Sequence, residues 1–306
     1  MKSVLETSNA KIILMGEHSV VYGQPAIALP IKNIKTTTKI TANEHGVDLI
    51  SRYYTGDLNH INDNLKGIKT LITSVLNSFN QTNVNIDIRV DSDIPAERGM
   101  GSSAAAAVSI TRALYDYFQH PLTRNKLLQT VNISEKIIHG NPSGIDSATT
   151  SSNVPIWFQK DGTIKTIPLN ITGYLVIADS GVKGKTSEAV QIVRNKLNFD
   201  SKNMNLIQQL GSLTEQAAQQ LENNELVKLG ESFNSAQNIL GKLGVSHPAL
   251  EKLIQVANQN GSLGTKLTGG GLGGCLIALS PDLSTAKQIT AALSQNGATD
   301  TWIENL

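Results

Sequence analysis

The sequence predicts an α+β protein built on antiparallel sheets. Apolar and alternating strand patterns interleave with helical patterns of period 3.6 along its 306 residues, without the regular strand-helix-strand cadence of a parallel sheet. The chain is also longer than the roughly 100–200 residues of a typical domain. A strand that is apolar up to its last residue, Tyr174-Leu175-Val176-Ile177-Ala178-Asp179, sits near a natural division. Two domains are therefore expected, residues 1–170 and 171–306.

The first strand is Ala10-Lys11-Ile12-Ile13-Leu14-Met15-Gly16, an apolar run stopped by a glycine turn, so Lys11 enters a core on a strand. Residues 34–41 and 84–91 alternate apolar and polar positions, as half-buried strands do. Lys32, Lys35 and Lys39 then read as a solvated strand face. A helix from Ser103 to about Phe118 places Ala104, Ala107, Val108, Ala113 and Leu114 at helical spacing. A second helix, Leu127–Ile138, does the same with Leu127, Leu128, Val131, Ile137 and Ile138, and His139-Gly140-Asn141-Pro142 stops it. After a mixed stretch through Trp157 and Ile167 and the strand at 174–179, helices are expected over 186–197, 203–221, 224–241 and 247–260. A glycine-rich loop at 268–274 leads to a strand at Cys275–Leu279, a helix over 282–295 and a closing edge strand at 300–303.

Composition narrows the function classes. Lys and Arg number 26 against 25 Asp and Glu, a formal charge of +1 with no run of one sign. That argues against a nucleic-acid or anionic-membrane footprint. The one cysteine, Cys275, excludes an internal disulfide framework and a thiolate zinc cluster and fits a reducing compartment. Charge interrupts Met1-Lys2-Ser3-Val4-Leu5-Glu6 before any signal-length apolar run forms, and no segment approaches the roughly 20 apolar residues of a membrane span, so a cytoplasmic protein is expected.

Four segments carry chemistry. Pro95-Ala96-Glu97-Arg98-Gly99-Met100-Gly101-Ser102-Ser103, followed by four alanines, reads as an anion-binding loop opening into a helix. Gly99 and Gly101 allow positive φ, Ser102 or Ser103 can cap the helix, and the first-turn amides face whatever lies over Gly99–Ala104. A glycine hinge with an ordinary cap fits the same residues. Gly16-Glu17-His18-Ser19-Val20-Val21-Tyr22-Gly23 sets a carboxylate and an imidazole between glycines just beyond a buried strand, although such a pair also occurs in plain surface turns. His139-Gly140-Asn141-Pro142-Ser143-Gly144-Ile145-Asp146 is a turn ending in a carboxylate suited either to general-base work or to helix capping. Thr268-Gly269-Gly270-Gly271-Leu272-Gly273-Gly274 is a second backbone cradle or a close-packing device. Gly184-Lys185-Thr186 imitates the end of a Walker A loop, but Asp179 stands where that motif needs glycine.

Taken in order, the Lys11–Gly23 run, Ile94–Ala105, His139–Asp146 and Lys266–Cys275 resemble the GHMP kinases over most of the chain, and within that superfamily the Glu-His-Ser-Val-Val-Tyr-Gly and His-Gly-Asn-Pro-Ser-Gly-Ile-Asp runs are most similar to its mevalonate kinase members. The resemblance implies an N-terminal ribosomal-protein-S5-like domain and a C-terminal ferredoxin-like domain with the active site in the cleft between them. It implies ATP and Mg²⁺, and mevalonate phosphorylated on its 5-hydroxyl, and it leaves monomer and homodimer both open. Asp146 then corresponds to the family's catalytic aspartate and Lys11 to its paired lysine. Pro95, Ala96, Gly99, Met100, Gly101, Ser102, Ser103, Ala104 and Ala105 correspond to the ATP-binding loop, and Ser103 and Glu135 to the metal ligands. Glu17, His18, Ser143, Gly144 and Thr186 fall on the substrate side. Many relatives carry small residues where Glu97-Arg98 stand.

Overall fold

The structure is a computed structural model describing residues 2–140, 142–160 and 162–306; Asn141 of the His139–Asp146 run lies outside them. It is α+β with two sheets. In chain order the elements are β1 (Ser3–Met15), β2 (Ala26–Ala42), β3 (Val47–Ser51), β4 (Tyr54–Asp57), α1 (Lys66–Ser78), β5 (Ile86–Ser92), α2 (Ser102–Tyr117), α3 (Arg124–His139), α4 (Ile145–Thr150), β6 (Ile156–Phe158) and β7 (Ile164–Thr166). They continue with β8 (Tyr174–Asp179), α5 (Thr186–Phe199), α6 (Met204–Glu222), α7 (Leu226–Leu243), α8 (Pro248–Gln259), β9 (Gly264–Leu267), β10 (Cys275–Ser280), α9 (Leu283–Gln295) and β11 (Asp300–Asn305). Packing divides the chain into two compact units that alternate in sequence. Met1–Lys11, Ile34–Pro95 and Gly101–Asn153 form the first, and Ile12–Asn33, Ala96–Met100 and Val154–Leu306 the second.

In the first unit β2 pairs antiparallel with β5, from Thr36↔Ser92 to Ala42↔Ile86. Ile34, Thr36, Thr38 and Ile40 turn inward while Lys35 and Lys39 are exposed, the solvated face that the lysine spacing predicts. β5 pairs with β3 in parallel, a departure from the expected all-antiparallel arrangement. The connection through β4 and α1 explains it, because a parallel pair needs a crossover long enough to bring the chain back in the same direction. α1 is not among the elements expected from the sequence, although Ile68, Leu71, Ile72, Val75 and Leu76 form a period-3.6 stripe that is buried throughout. It joins Val108, Leu114 and Val131 of α2 and α3 over Ile40, Ile86 and Ile88 in one core.

α3 differs from its predicted face. Ile137 and Ile138 are exposed, and the buried positions are Leu127, Thr130, Val131, Ser134 and Glu135. The inward stripe thus ends in a carboxylate. Gly140, with φ 71°, stops the helix where the sequence indicates.

The second unit pairs β6 with Ala26–Ala28 of β2, and β7 with β6. It also holds a four-stranded antiparallel sheet in the order β11-β8-β10-β9, with β11 on the edge as expected. β10 is buried along its whole length, as are Leu175–Asp179 of β8, which accounts for their unbroken apolar runs. α8 and α9 pack against this sheet. β9 escapes notice in the sequence because its four residues include a glycine and a lysine. Cys275 is buried at the start of β10, and burial pushes its thiol well above the usual range, so it is chemically inert. Among the described residues no helix is long and apolar enough to cross a membrane.

Candidate active site

In the first unit the site is built around the start of α2. Gly101, with φ 76°, occupies the N-cap position, and no side chain caps the helix. The sequence expectation of a serine cap is therefore corrected. Ser102 and Ser103 lie inside the first turn, and the Ser103 hydroxyl donates instead to Glu135 Oε1 at 2.7 Å. The first helical bond runs from the Ala105 amide to the Gly101 carbonyl, leaving the preceding amides without an intrahelical partner, a ready site for an anion. Met100, Ala104 and Ala105 are buried, so they offer such a ligand only backbone, whereas Ala96 and Gly99 are exposed.

Lys11 reaches the same place from β1. A Cβ on Gly101 would lie 2.8 Å from Lys11 Cγ, so only glycine lets the lysine stem pass against the loop. Its Nζ pairs with Asp146 Oδ1 at 2.9 Å; the Lys11 side chain is 7 % exposed and that of Asp146 38 %. The cation is fixed and its partner remains accessible. Asp146 sits in the first turn of α4, where Gly144 with φ 87° takes the N-cap position, so the carboxylate is not the helix cap that the sequence left open. The Ser143 hydroxyl accepts the Ile145 amide in the same turn. Ser8 Oγ to the Ala105 carbonyl and Arg112 to the carbonyls of Thr7 and Ser151 hold β1, α2 and α4 in register.

Glu135 is buried 3 % exposed beside this pair. Burial raises its pKa, with a smaller push from Asp146, while the Ser103 hydroxyl, His139 and Lys11 oppose the shift. A desolvated carboxylate paired with a hydroxyl is a hard-oxygen donor set short of positive charge. It fits a Mg²⁺ ion.

In the second unit the Gly16-Glu17-His18 turn closes tightly on β2: a Cβ at Gly16 would lie 2.5 Å from Ala26 Cα. Glu17 is ion-paired with Lys266 of β9, and both side chains are shielded completely. Lys266 also donates to the Leu267 carbonyl at 2.8 Å. Burial raises the Glu17 pKa and lowers that of Lys266, with their mutual attraction opposing both shifts. His18 Nε2 donates to the Gly270 carbonyl at 2.9 Å, and burial lowers its pKa. Thr186, exposed at the start of α5, lies against Gly270, where a Cβ would meet its hydroxyl at 2.3 Å. Glu17, His18 and Thr186 are thus gathered around one glycine loop, although they are far apart in sequence. Within that loop Gly270, Gly271 and Gly273 are packing glycines with backbone or Thr186 against them, and only Gly269 faces open space. Three residues with no assigned role emerge: Lys266, Arg98 and Asp179, the last two paired at 2.6 Å.

The family described as GHMP kinases N terminal domain matches residues 68–152, and GHMP kinases C terminal matches 217–299. The mevalonate kinase of Pyrococcus horikoshii is 31 % identical over 96 % of this chain and 94 % of that protein.

The chain belongs to the GHMP kinase family. Among solved structures this GHMP kinase is similar to the mevalonate kinase of methicillin-resistant Staphylococcus aureus, with a TM-score of 0.81, 35 % identity and coverage of 100 % of this chain and 99 % of that one. The L. major mevalonate kinase in complex with R-mevalonate has the same fold, with a TM-score of 0.86 at 24 % identity over 99 % of this chain and 95 % of that one. This GHMP kinase is therefore an ATP-dependent small-molecule kinase.

Proposed function

We infer that this kinase transfers the γ-phosphoryl group of ATP to the 5-hydroxyl of mevalonate, giving 5-phosphomevalonate. The observation that carries the chemistry is the Lys11–Asp146 pair at 2.9 Å, set beside the uncapped start of α2. The choice of acceptor rests on similarity along nearly the full chain to mevalonate kinases at 31 % and 35 % identity.

Phosphoryl transfer asks a protein mainly for positioning and charge neutralisation. The amides at the start of α2 cradle the phosphates. Asp146 takes the proton from the acceptor hydroxyl as its oxygen attacks, and Lys11, paired with that carboxylate, orients it and stabilises the oxygen's developing charge. Ser103 and Glu135 would hold Mg²⁺, which when bound offsets the negative charge of the phosphates. The Glu17-His18 turn, with Ser143, Gly144 and Thr186, serves the substrate side. Because Glu17 is wholly buried against Lys266, its part is to fix the turn that presents His18. Residues 1–170 would then form the nucleotide-binding domain and 171–306 the C-terminal domain. Cytoplasmic operation fits the one unreactive cysteine.

A sibling kinase acting on a different small alcohol would keep every ATP-side residue, so the acceptor is the point to test. ADP release by the purified protein is measured across mevalonate, phosphomevalonate, galactose and homoserine. Mevalonate should give the highest kcat/KM. A tenfold preference for another acceptor, about 1.4 kcal/mol in transition-state binding, overturns the assignment.

A further inference from the structure

The loop leading into α2 is not held where its neighbours in sequence are held. Residues 34–95 and 101–153 pack in the first unit, but Ala96–Met100 pack in the second. Glu97 adopts φ 59°, a left-handed conformation that a glutamate takes only when its surroundings impose it. Arg98 supplies the anchor. Its Nε donates to Asp179 Oδ2 at 2.6 Å, and the other carboxylate oxygen accepts the Gly181 amide at 2.9 Å. Asp179 is the last residue of β8 and its side chain is 3 % exposed, that of Arg98 17 %. The loop also lies against the glycine-rich segment, since a Cβ at Gly274 would be 3.5 Å from the Arg98 carbonyl oxygen. Beside it Glu97 pairs with Lys183, but those side chains are 65 % and 73 % exposed, and solvated pairs of this kind contribute little. The two charge pairs are therefore unequal, and the shielded one fixes the loop.

We propose that Arg98 and Asp179 are positioning residues for nucleotide binding: their shielded ion pair clamps residues 96–100 to the β8–α5 turn and so sets the shape of the backbone that receives the ATP phosphates. This rests on the reading of Pro95–Ala105 as the phosphate loop. It gives the Glu97-Arg98 departure from the small residues of many relatives a role, and it gives Asp179 a purpose unrelated to the failed Walker-like pattern.

The test compares Asp179→Asn, Arg98→Lys, Arg98→Gln and Lys183→Gln with the wild type by calorimetric ATP titration without acceptor, by steady-state kinetics and by thermal melting. Asp179→Asn keeps the shape and one hydrogen bond but removes the charge. It should weaken ATP binding and raise the KM for ATP about tenfold or more, with the KM for mevalonate within about twofold. Arg98→Gln should do the same. Arg98→Lys, which keeps the charge without the fixed Nε geometry, should fall between, and it also serves if Asp179→Asn does not fold. Lys183→Gln, which breaks the exposed pair from the side outside the phosphate loop, should stay within about twofold of wild type. Wild-type ATP binding in folded Arg98→Lys and Arg98→Gln overturns the proposal, and so does an equal rise in both KM values, which marks a merely structural pair. If instead the wild type binds no ATP, the phosphate-loop reading itself fails.

Discussion

Lys266 donates to Glu17 Oε1 in a place where neither side chain retains any solvent exposure. Among the described residues the other Glu17 oxygen, Oε2, has no hydrogen-bond partner, so the pair's mutual attraction, helped by the Lys266 bond to the Leu267 carbonyl, has to offset the loss of two hydration shells. Such pairs add little net stability, yet removing one partner strands a charge. Lys266→Met should therefore cost about 3–5 kcal/mol. The double variant Glu17→Met, Lys266→Met should recover most of that. Urea unfolding measures both, and a single variant as stable as wild type refutes the account.

Asp146 and Lys11 should behave as a unit. Asp146→Asn should cut kcat by about 10²–10⁴ with ATP affinity nearly unchanged, because the amide fills the same space but cannot take the proton. Lys11→Met should also lower kcat, and the double variant should lose far less than the product of the single losses. Near-normal turnover in Asp146→Asn would leave the carboxylate with a structural role only.

Glu135 should make the Mg²⁺ requirement depend on pH. Burial holds its carboxyl above the ordinary range, and a proton and a cation compete for the same oxygens, so the Mg²⁺ concentration for half-maximal rate should climb as pH falls toward that raised pKa. Glu135→Gln should raise that concentration by at least about tenfold and abolish its pH dependence. Ser103→Ala should shift it less. Titrations of Glu135→Gln that overlay the wild type would take Glu135 out of the site.

His18 should make stability fall on the acid side of neutrality. Its pKa is lowered from 6.5, chiefly by burial, so below that value the unfolded chain takes up a proton that the folded one resists. Stability is full above about pH 6.5 and declines as pH drops toward the folded pKa. Melting curves between pH 7.5 and 5 should show His18→Gln with a flatter decline than wild type. Parallel curves would mean that His18 is not the group responsible.

The parts of the protein that were legible in the sequence are those fixed by local chemistry. Gly99 and Gly101 take the positive φ expected of them, and the apolar runs of β8 and β10 are buried strands. Lys11 enters the site from a strand, as its place in an apolar run requires. What local pattern could not supply is partnership across the chain. Nothing near Arg98 or Lys266 in sequence indicates that the first finds Asp179 and the second Glu17, since each contact depends on the route of β1, β8 and β9. The Ile137-Ile138 pair misled because the α3 stripe is completed by Ser134 and Glu135, polar residues that a hydrophobic periodicity passes over.

The missing cap on α2 has a thermodynamic side. Glycine in place of a capping Ser, Thr, Asp or Asn costs a helix only a few tenths of a kcal/mol, and α2 takes Gly101 there without a side-chain cap. The first turn is left with bonding capacity that an anion can meet. Heat resistance and nucleotide occupancy are then linked through the same few amides: the empty protein should be the more fragile form, and saturation at 100 times the dissociation constant should add about 2.7 kcal/mol to its unfolding free energy. A melting assay would thereby report nucleotide affinity directly, with no acceptor and no turnover.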